Sequence, residues 1–521
     1  MLHTRGKQIQ GGPRKKRAVV VAVVDVEERH VVKAKPPAPK LERVTFTTSR
    51  EMDFFSEKEL SAQTGHSRDE WPAVIAKELM DNALDACEEH DIPPQITLAA
   101  DETGITVADN GPGIPEATVA GILDFTVRVS SREAYCSPTR GAQGNALKTL
   151  VGIPYVLDPG HGRLLIVSGD ELHSIACRLD RISQRAVFDV EKTKVCDDHV
   201  GRKFLQIADP AAGRKTKVSE NRRRLNFYKS AVRLEWQQLI DPEEKVPVWP
   251  FDTAADKNNW LPQTEAIARG YALFNPHLTL TFDWFGDRTT WKATEPSWAK
   301  WRPNQPTSAH WYQVQHLERL IGAHVTHNRA KGVDRTVADF LTEFDGLAGS
   351  RKRTAVMDRV DLRRAKLSDL AGEHELKTDL IGRLLAAMKA ETKPVHNRRL
   401  GQIGRDHFTQ RLLEFGCIPE SIDYRVKKRT DDGVPFVLES VFGGLKTDSA
   451  RRQIYAGANW SPGIKNPFRS FGSTGEGLES LLANQRAGRS EPIVFGLHLA
   501  HPRVEYSDRG KSAIVVGGGA A

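Results

Sequence analysis

The clearest periodicity in the chain runs through residues 74–90. Val74, Ile75, Leu79, Ala83 and Ala86 recur at three- and four-residue spacing and predict a helix with one buried stripe. The polar positions stack as well: Glu78 lies four residues before Asn82, and Asp81 four before Asp85. For an isolated helix, a solvated acidic face is the simplest account of such pairs. Residues 94–115 then predict two short strands around the turn Asp101–Gly104, followed by a glycine-rich loop. Residues 139–150 predict a turn at Gly141 and Gly144 that opens an apolar helix. The apolar run 18–26 reads as a strand, since it is too short to span a bilayer and lacks a signal-peptide cleavage pattern. The proline-rich stretch 33–40 reads as a linker.

Length and charge change this picture only in part. A chain of 521 residues has room for two to four domains. Its 39% hydrophobic and 27% charged content is ordinary for a soluble protein. The net charge of +8 permits contact with nucleic acid without proving it. Part of that excess sits in the first 17 residues, where Arg5, Lys7, Arg14, Lys15, Lys16 and Arg17 occur without an acid and suggest a solvated tail. Five scattered cysteines with no C-x-x-C argue against a disulfide framework or a zinc site and fit a reducing, cytoplasmic setting.

Three short segments carry candidate chemistry. Asp109 ends a β-branched strand, and Gly111 and Gly113 let the following backbone turn sharply and approach a ligand. Gly141 and Gly144 precede a helix start, where backbone N–H groups make a nest for phosphate oxygens, and Lys148 could add charge there. No Walker A loop and no Rossmann fingerprint is present. Taken in order, E-x-x-D-N-x-x-D-A at 78–86, D-N-G-x-G-I at 109–114 and the glycine lid at 141–148 resemble the GHKL ATPases, the group of gyrase B, MutL, the large heat-shock chaperones and histidine kinases. The resemblance implies an α+β fold with an ATP-binding GHKL (Bergerat) sandwich.

It also implies roles. Glu78 would be the general base that orients the attacking water. Asn82 would supply one oxygen to Mg²⁺, which keeps several of its waters. Asp109 would accept a hydrogen bond from the adenine amino group, and Gly113 would leave room for the base. Gly141, Ala142, Gln143, Gly144, Asn145, Ala146, Leu147 and Lys148 would form the lid over the phosphates. Asp81 and Asp85 would only support the site.

The surrounding segments are closest to the B subunit of DNA topoisomerase VI, the ATPase component of the type IIB enzymes, with the likeness extending patchily over roughly residues 50–516. Residues 52–66 resemble the entry to the first helix, and 127–148 resemble the lid, with Ser131-Arg132 in place of a Ser-Lys pair. Residues 271–284 resemble the strand closing the ATPase domain, 336–362 a helix-two-turns-helix module, and 396–516 an α/β transducer domain. Lys465 falls where the transducer lysine that reaches the γ-phosphate would lie. The expected division is a basic tail at 1–45, an ATPase domain at 46–290 with a possible insertion at 209–270, a helical module at 300–395 and a shortened transducer at 396–521. Two departures stand out. The segment 199–207 has Gly-Arg where the family has Gly-Thr, a threonine that helps hold adenine. The long C-terminal helix that contacts the cleaving subunit is not found before residue 521.

The resemblance implies an ATP- and Mg²⁺-dependent subunit that dimerises on ATP and gates DNA passage with a separate A-like (Spo11-like) cleaving subunit, away from any membrane. No D-x-D pair for self-sufficient cleavage is present. The alternative is a stand-alone GHKL switch in chromosome maintenance or defence. A histidine kinase fits Glu78 poorly, and a degenerate scaffold fits the intact motif residues poorly.

Overall fold

The structure, a computed structural model, describes residues 51–125, 134–140, 146–195, 229–240, 247–251, 261–447, 451–471, 475–507 and 513–515. The expected strand at 18–26, the linker, Ser131, Arg132, residues 141–145 and the 199–207 segment lie outside the described residues, as does the side chain of Ala146.

The helix expected from the 74–90 periodicity spans Trp71–Glu89 and so begins three residues before the apolar stripe. Pro72 fits its first turn, where the missing N–H costs no hydrogen bond. Upstream, Ser67 and Glu70 exchange hydrogen bonds that fix the entry of the chain. The two strands expected after it are Gln95–Asp101 and Gly104–Asp109, paired antiparallel with Ile96 opposite Asp109. They lie inside an eight-stranded sheet. Its order is Asp287–Trp291, Thr279–Trp284, Gln95–Asp101, Gly104–Asp109, Ser230–Glu235, Arg163–Ser168, Glu171–Asp180 and Arg185–Lys194. All neighbours are antiparallel except Thr279–Trp284, which runs parallel to Gln95–Asp101. Ile96, Leu98, Ile105, Val107, Val232 and Leu234 share one buried cluster with Ile75, Leu79 and Ala83 of the first helix. Alternation along the strands thus points every second side chain at the helices Trp71–Glu89, Ala146–Leu157 and Leu261–Phe274.

Residues 209–270, expected as a possible insertion, are corrected here in part. Ser230–Glu235 is an interior strand of the sheet, buried at five of its six positions, and Leu261–Phe274 packs against the first helix. The dense charge around these elements hid a strand whose own side chains alternate normally.

Downstream, the helices Val314–Ala330, Val337–Leu341, Ser350–Arg359 and Thr378–Glu391 bury Leu320, Ile321, Phe340, Val356, Ile381 and Leu384 together. A second sheet follows, ordered Asp423–Asp431, Val434–Gly444, Ile493–Ala500, Gln453–Ala458 and Ser461–Pro462, with the helices Arg405–Glu414 and Leu478–Asn484 beside it. The three expected regions share one continuous apolar core, from Leu60 to Ala500.

Candidate nucleotide site

The first helix carries two polar ridges that face different surroundings. Lys77, Asp81, Asp85 and Glu88 form the inner one. Lys77 Nζ lies 2.8 Å from Asp81 Oδ2 and donates to Ser461 Oγ at 2.9 Å. Ser461 in turn donates to Asp81 Oδ2 at 2.9 Å, and the Tyr271 hydroxyl donates to Asp81 Oδ1 at 2.7 Å. Burial alone would favour neutral forms. The mutual attraction outweighs it, so the Lys77 ammonium is held above its usual range and the Asp81 carboxyl below its own.

One turn further on, Arg140 is buried between Asp85 at 2.9 Å and Glu88 at 2.7 Å, and donates to Asn275 Oδ1 at 2.5 Å. Lys300 Nζ lies 2.7 Å from Glu88 Oε2, and His277 Nε2 lies 3.0 Å from Glu88 Oε1. Burial works against ionised Glu88, yet Arg140 and Lys300 hold its carboxyl well below the usual range. Burial lowers His277, so it is neutral at pH 7 and adds no charge. Three carboxylates therefore face three cations. Asp81, Asp85 and Glu88 are thus all buried and paired within the fold.

Glu78, Asn82 and Ala86 form the outer ridge. Asn82 is exposed, and its Nδ2 donates to the Glu78 carbonyl at 2.8 Å, which turns Oδ1 away from the backbone. The Glu78 carboxylate is half-buried and makes no hydrogen bond or ion pair among the described residues. Ala86, one turn beyond Asn82, reaches the glycine turn: a Cβ at Gly111 would lie 3.7 Å from the Ala86 Cβ and 3.3 Å from Cys87 Sγ. The ridge thus leads to the Asp109 turn, as the sequence requires if both belong to one site.

Asp109 is buried at that turn. Its Oδ1 accepts from the Gly111 N–H at 2.8 Å, and Ser230 Oγ donates to Oδ2. Burial pushes its carboxyl up to about 6, against these two hydrogen bonds. A Cβ on Gly111 would fall 2.7 Å from Asp109 Oδ1, so only glycine allows the contact. Gly113 has φ +97°, a left-handed conformation open to glycine. Across the strand ends, Asp109 pairs with Ser230 and Ser230 with Ser168. Ser168 Oγ is bonded to both the N–H and the carbonyl of Ile114, at 3.0 and 2.9 Å, and so pins the loop that follows Gly113.

Over part of its length the chain is similar to known proteins. The chain is 31% identical over 113 residues to the B subunit of type 2 DNA topoisomerase 6 from Thermococcus gammatolerans, which covers 20% of each chain. It is 27% identical over 220 residues to the protein of the same name from Methanosarcina acetivorans, covering 40% of this chain and 34% of the relative. This chain is a distant relative of the topoisomerase 6 B subunit. It matches only about a third or less of the length of these relatives. No family model matches. Among solved structures, the gyrase B protein of Myxococcus xanthus aligns with 89% of this chain and 86% of its own at 9% identity and a TM-score of 0.33, a likeness too low to support any inference.

The remaining expected residues are placed unevenly. Leu147 is half-buried against the core, and Lys148 is buried, its ammonium bonded to the Asp124 carbonyl beside the Phe125 ring. Burial lowers Lys148 from its ordinary value. Lys465 is half-exposed and paired with Glu70 Oε1 at 2.6 Å, at the start of the first helix. Eight residues separate Glu70 from Glu78, about 12 Å along the axis, so Lys465 does not touch the outer ridge. Sequence reasoning missed Ser230. It sought the partner of Asp109 in the 199–207 segment, although Ser230–Glu235 is a strand that brings a hydroxyl to its first position. It also missed Arg140, whose place just before Gly141 marked it as part of the lid motif and not as the inner anchor it is.

Proposed function

We propose that this chain is the ATP-binding and ATP-hydrolysing subunit of a type IIB, topoisomerase VI-like DNA topoisomerase. The observation that carries the reading is the Asp109–Ser230 pair at the foot of the Glu78–Asn82–Ala86 ridge. A buried carboxylate with one hydroxyl and one backbone N–H as donors retains lone pairs for a further donor, which suits the amino group of adenine. Burial of that acceptor makes an unmatched base costly and so gives selectivity.

Glu78 is suited to take a proton from water, because its carboxylate is not fully desolvated and, among the described residues, forms no ion pair or hydrogen bond, although the Lys77 charge lies near it. Asn82 Oδ1 is free to face a hydrated cation and is a fitting donor for Mg²⁺, which takes few protein ligands. Bound there with the triphosphate, Mg²⁺ would neutralise phosphate charge. Asn82 would orient it, and Glu78 would hold the water on the same ridge, one helical turn away. The lid residues 141–148 would close over the phosphates, and Lys465 would leave Glu70 to reach the γ-phosphate. On this reading ATP dimerises two copies, and the second sheet acts as a transducer toward DNA and a separate A-like cleaving subunit.

The test is an ATPase assay with and without DNA, comparing the wild-type chain with Glu78→Ala. Nucleotide binding retained with hydrolysis reduced by about 10²–10⁴-fold is expected for a lost general base. Equal hydrolysis by the two proteins would remove Glu78 from the mechanism. Relaxation of supercoiled DNA that requires ATP, this chain and an A-like subunit together would establish the assembly.

A further inference from the structure

The strand Asp423–Asp431 is the outer edge of the second sheet, paired on one side only, with Val434–Gly444. Its sequence places Arg425, Lys427, Lys428 and Arg429 within five residues. Because side chains alternate, these cations project from both faces of the edge. The adjoining turn Asn397–Arg399 packs against the strand and brings exposed Arg398 to it. Arg405 lies over the Tyr424 ring, 5.5 Å from its centroid.

Several cations elsewhere in the described residues have carboxylate partners, as Arg140, Arg233, Arg288 and Arg335 do. On this edge Arg425 has one, Asp423 at 2.9 Å. Lys428 is bonded to the neutral Gln402 side chain. Lys427, Arg429 and Arg398 have no ion pair among the described residues. A charged edge also discourages sheet-to-sheet aggregation. A protein strand added to this edge would need pockets for alternate side chains. The outward positions offer arginine, lysine and Val426, and no apolar pocket.

We infer that the edge Asp423–Asp431, with Arg398 and Arg405, is a docking surface for the phosphate backbone of duplex DNA. The inference rests on the DNA-directed reading above and adds where the duplex would lie. Contacts of this kind position a duplex without reading its sequence, and they release counterions on binding.

The experiment measures binding of a fluorescent duplex to the full chain across a salt series, for wild type and for the triple variant Lys427→Ala, Lys428→Ala, Arg429→Ala. None of these residues lies in the nucleotide site, so ATPase activity without DNA should be unchanged. The expected result is at least about a tenfold loss of affinity near physiological salt, with a slope of log K against log salt shallower by about 3. The single variant Arg429→Glu should move both quantities in the same direction. Wild-type affinity and slope in the triple variant would overturn the assignment while leaving the nucleotide reading intact. The assignment would fail equally if the wild-type chain bound no duplex. Displacement of the duplex by polyglutamate as readily as by unlabelled DNA would also overturn it, since the surface would then serve acidic chains in general.

Discussion

At the scale of single residues, Asp109 ties stability to chemistry. Its carboxyl is raised from 3.8 to about 6 by burial. A raised acid favours the protonated native state, so its contribution to stability is fully present below about pH 3.8 and is lost as pH rises through about 6. Above that, the buried charge costs about 3 kcal/mol relative to an unperturbed carboxylate. Asp109→Asn should therefore be more stable than wild type in urea at pH 7.5, with the gain vanishing near pH 3.5, while nucleotide affinity is lost. A variant that is no more stable at pH 7.5 would show that the buried charge is fully compensated. Wild-type affinity for ATP should fall below pH 6 as the acceptor is protonated, a decline that titration with a fluorescent nucleotide would record. Ser230→Ala should shift that decline to higher pH, because the hydroxyl favours the ionised form.

At the scale of elements, the first helix is a beam with one face locked and one open. Arg140 is the main lock, since it neutralises Asp85 and Glu88 together where neither reaches water. Arg140→Met should lower stability by roughly 3–5 kcal/mol, the usual cost of a buried charge left without its partner, and thermal unfolding would register it directly. A loss below about 1 kcal/mol would mean that Lys300 alone can balance the site. This helix was largely legible in the sequence, because its apolar stripe, its glutamate–asparagine ridge and the glycines of the Asp109 turn are all local patterns. The roles of its other acids were not. Asp81 and Asp85 meet Ser461, Tyr271 and Arg140 only through pairings dozens to hundreds of residues apart, and local spacing carries no trace of those. Ser230 was hidden for the opposite reason. Its strand is short and lies next to a long charged stretch that outweighed it.

At the scale of the whole molecule, the two sheets meet across the helices Trp71–Glu89 and Leu261–Phe274. The inner part of this joint is tight: a Cβ on Gly270 would lie 2.7 Å from the Pro462 side chain. Ser461, beside it, is held by Lys77 and Asp81. The outer part is the half-exposed Lys465–Glu70 pair. If ATP recruits Lys465, it must first take it from Glu70, so Glu70→Gln should raise ATP affinity severalfold and steepen its salt dependence. An unchanged affinity in calorimetry would place Lys465 outside the nucleotide's reach.

The crowding at Gly270 has a mechanical corollary. If the second sheet moves, contact at that point would leave a pivot about it, rather than a slide past it, as the motion open to it. A small displacement at the rim near residue 465 would then be magnified at the distant edge strand, as a short arm drives a long one. Any bulkier residue at position 270 would jam that pivot before it disturbed a single charge.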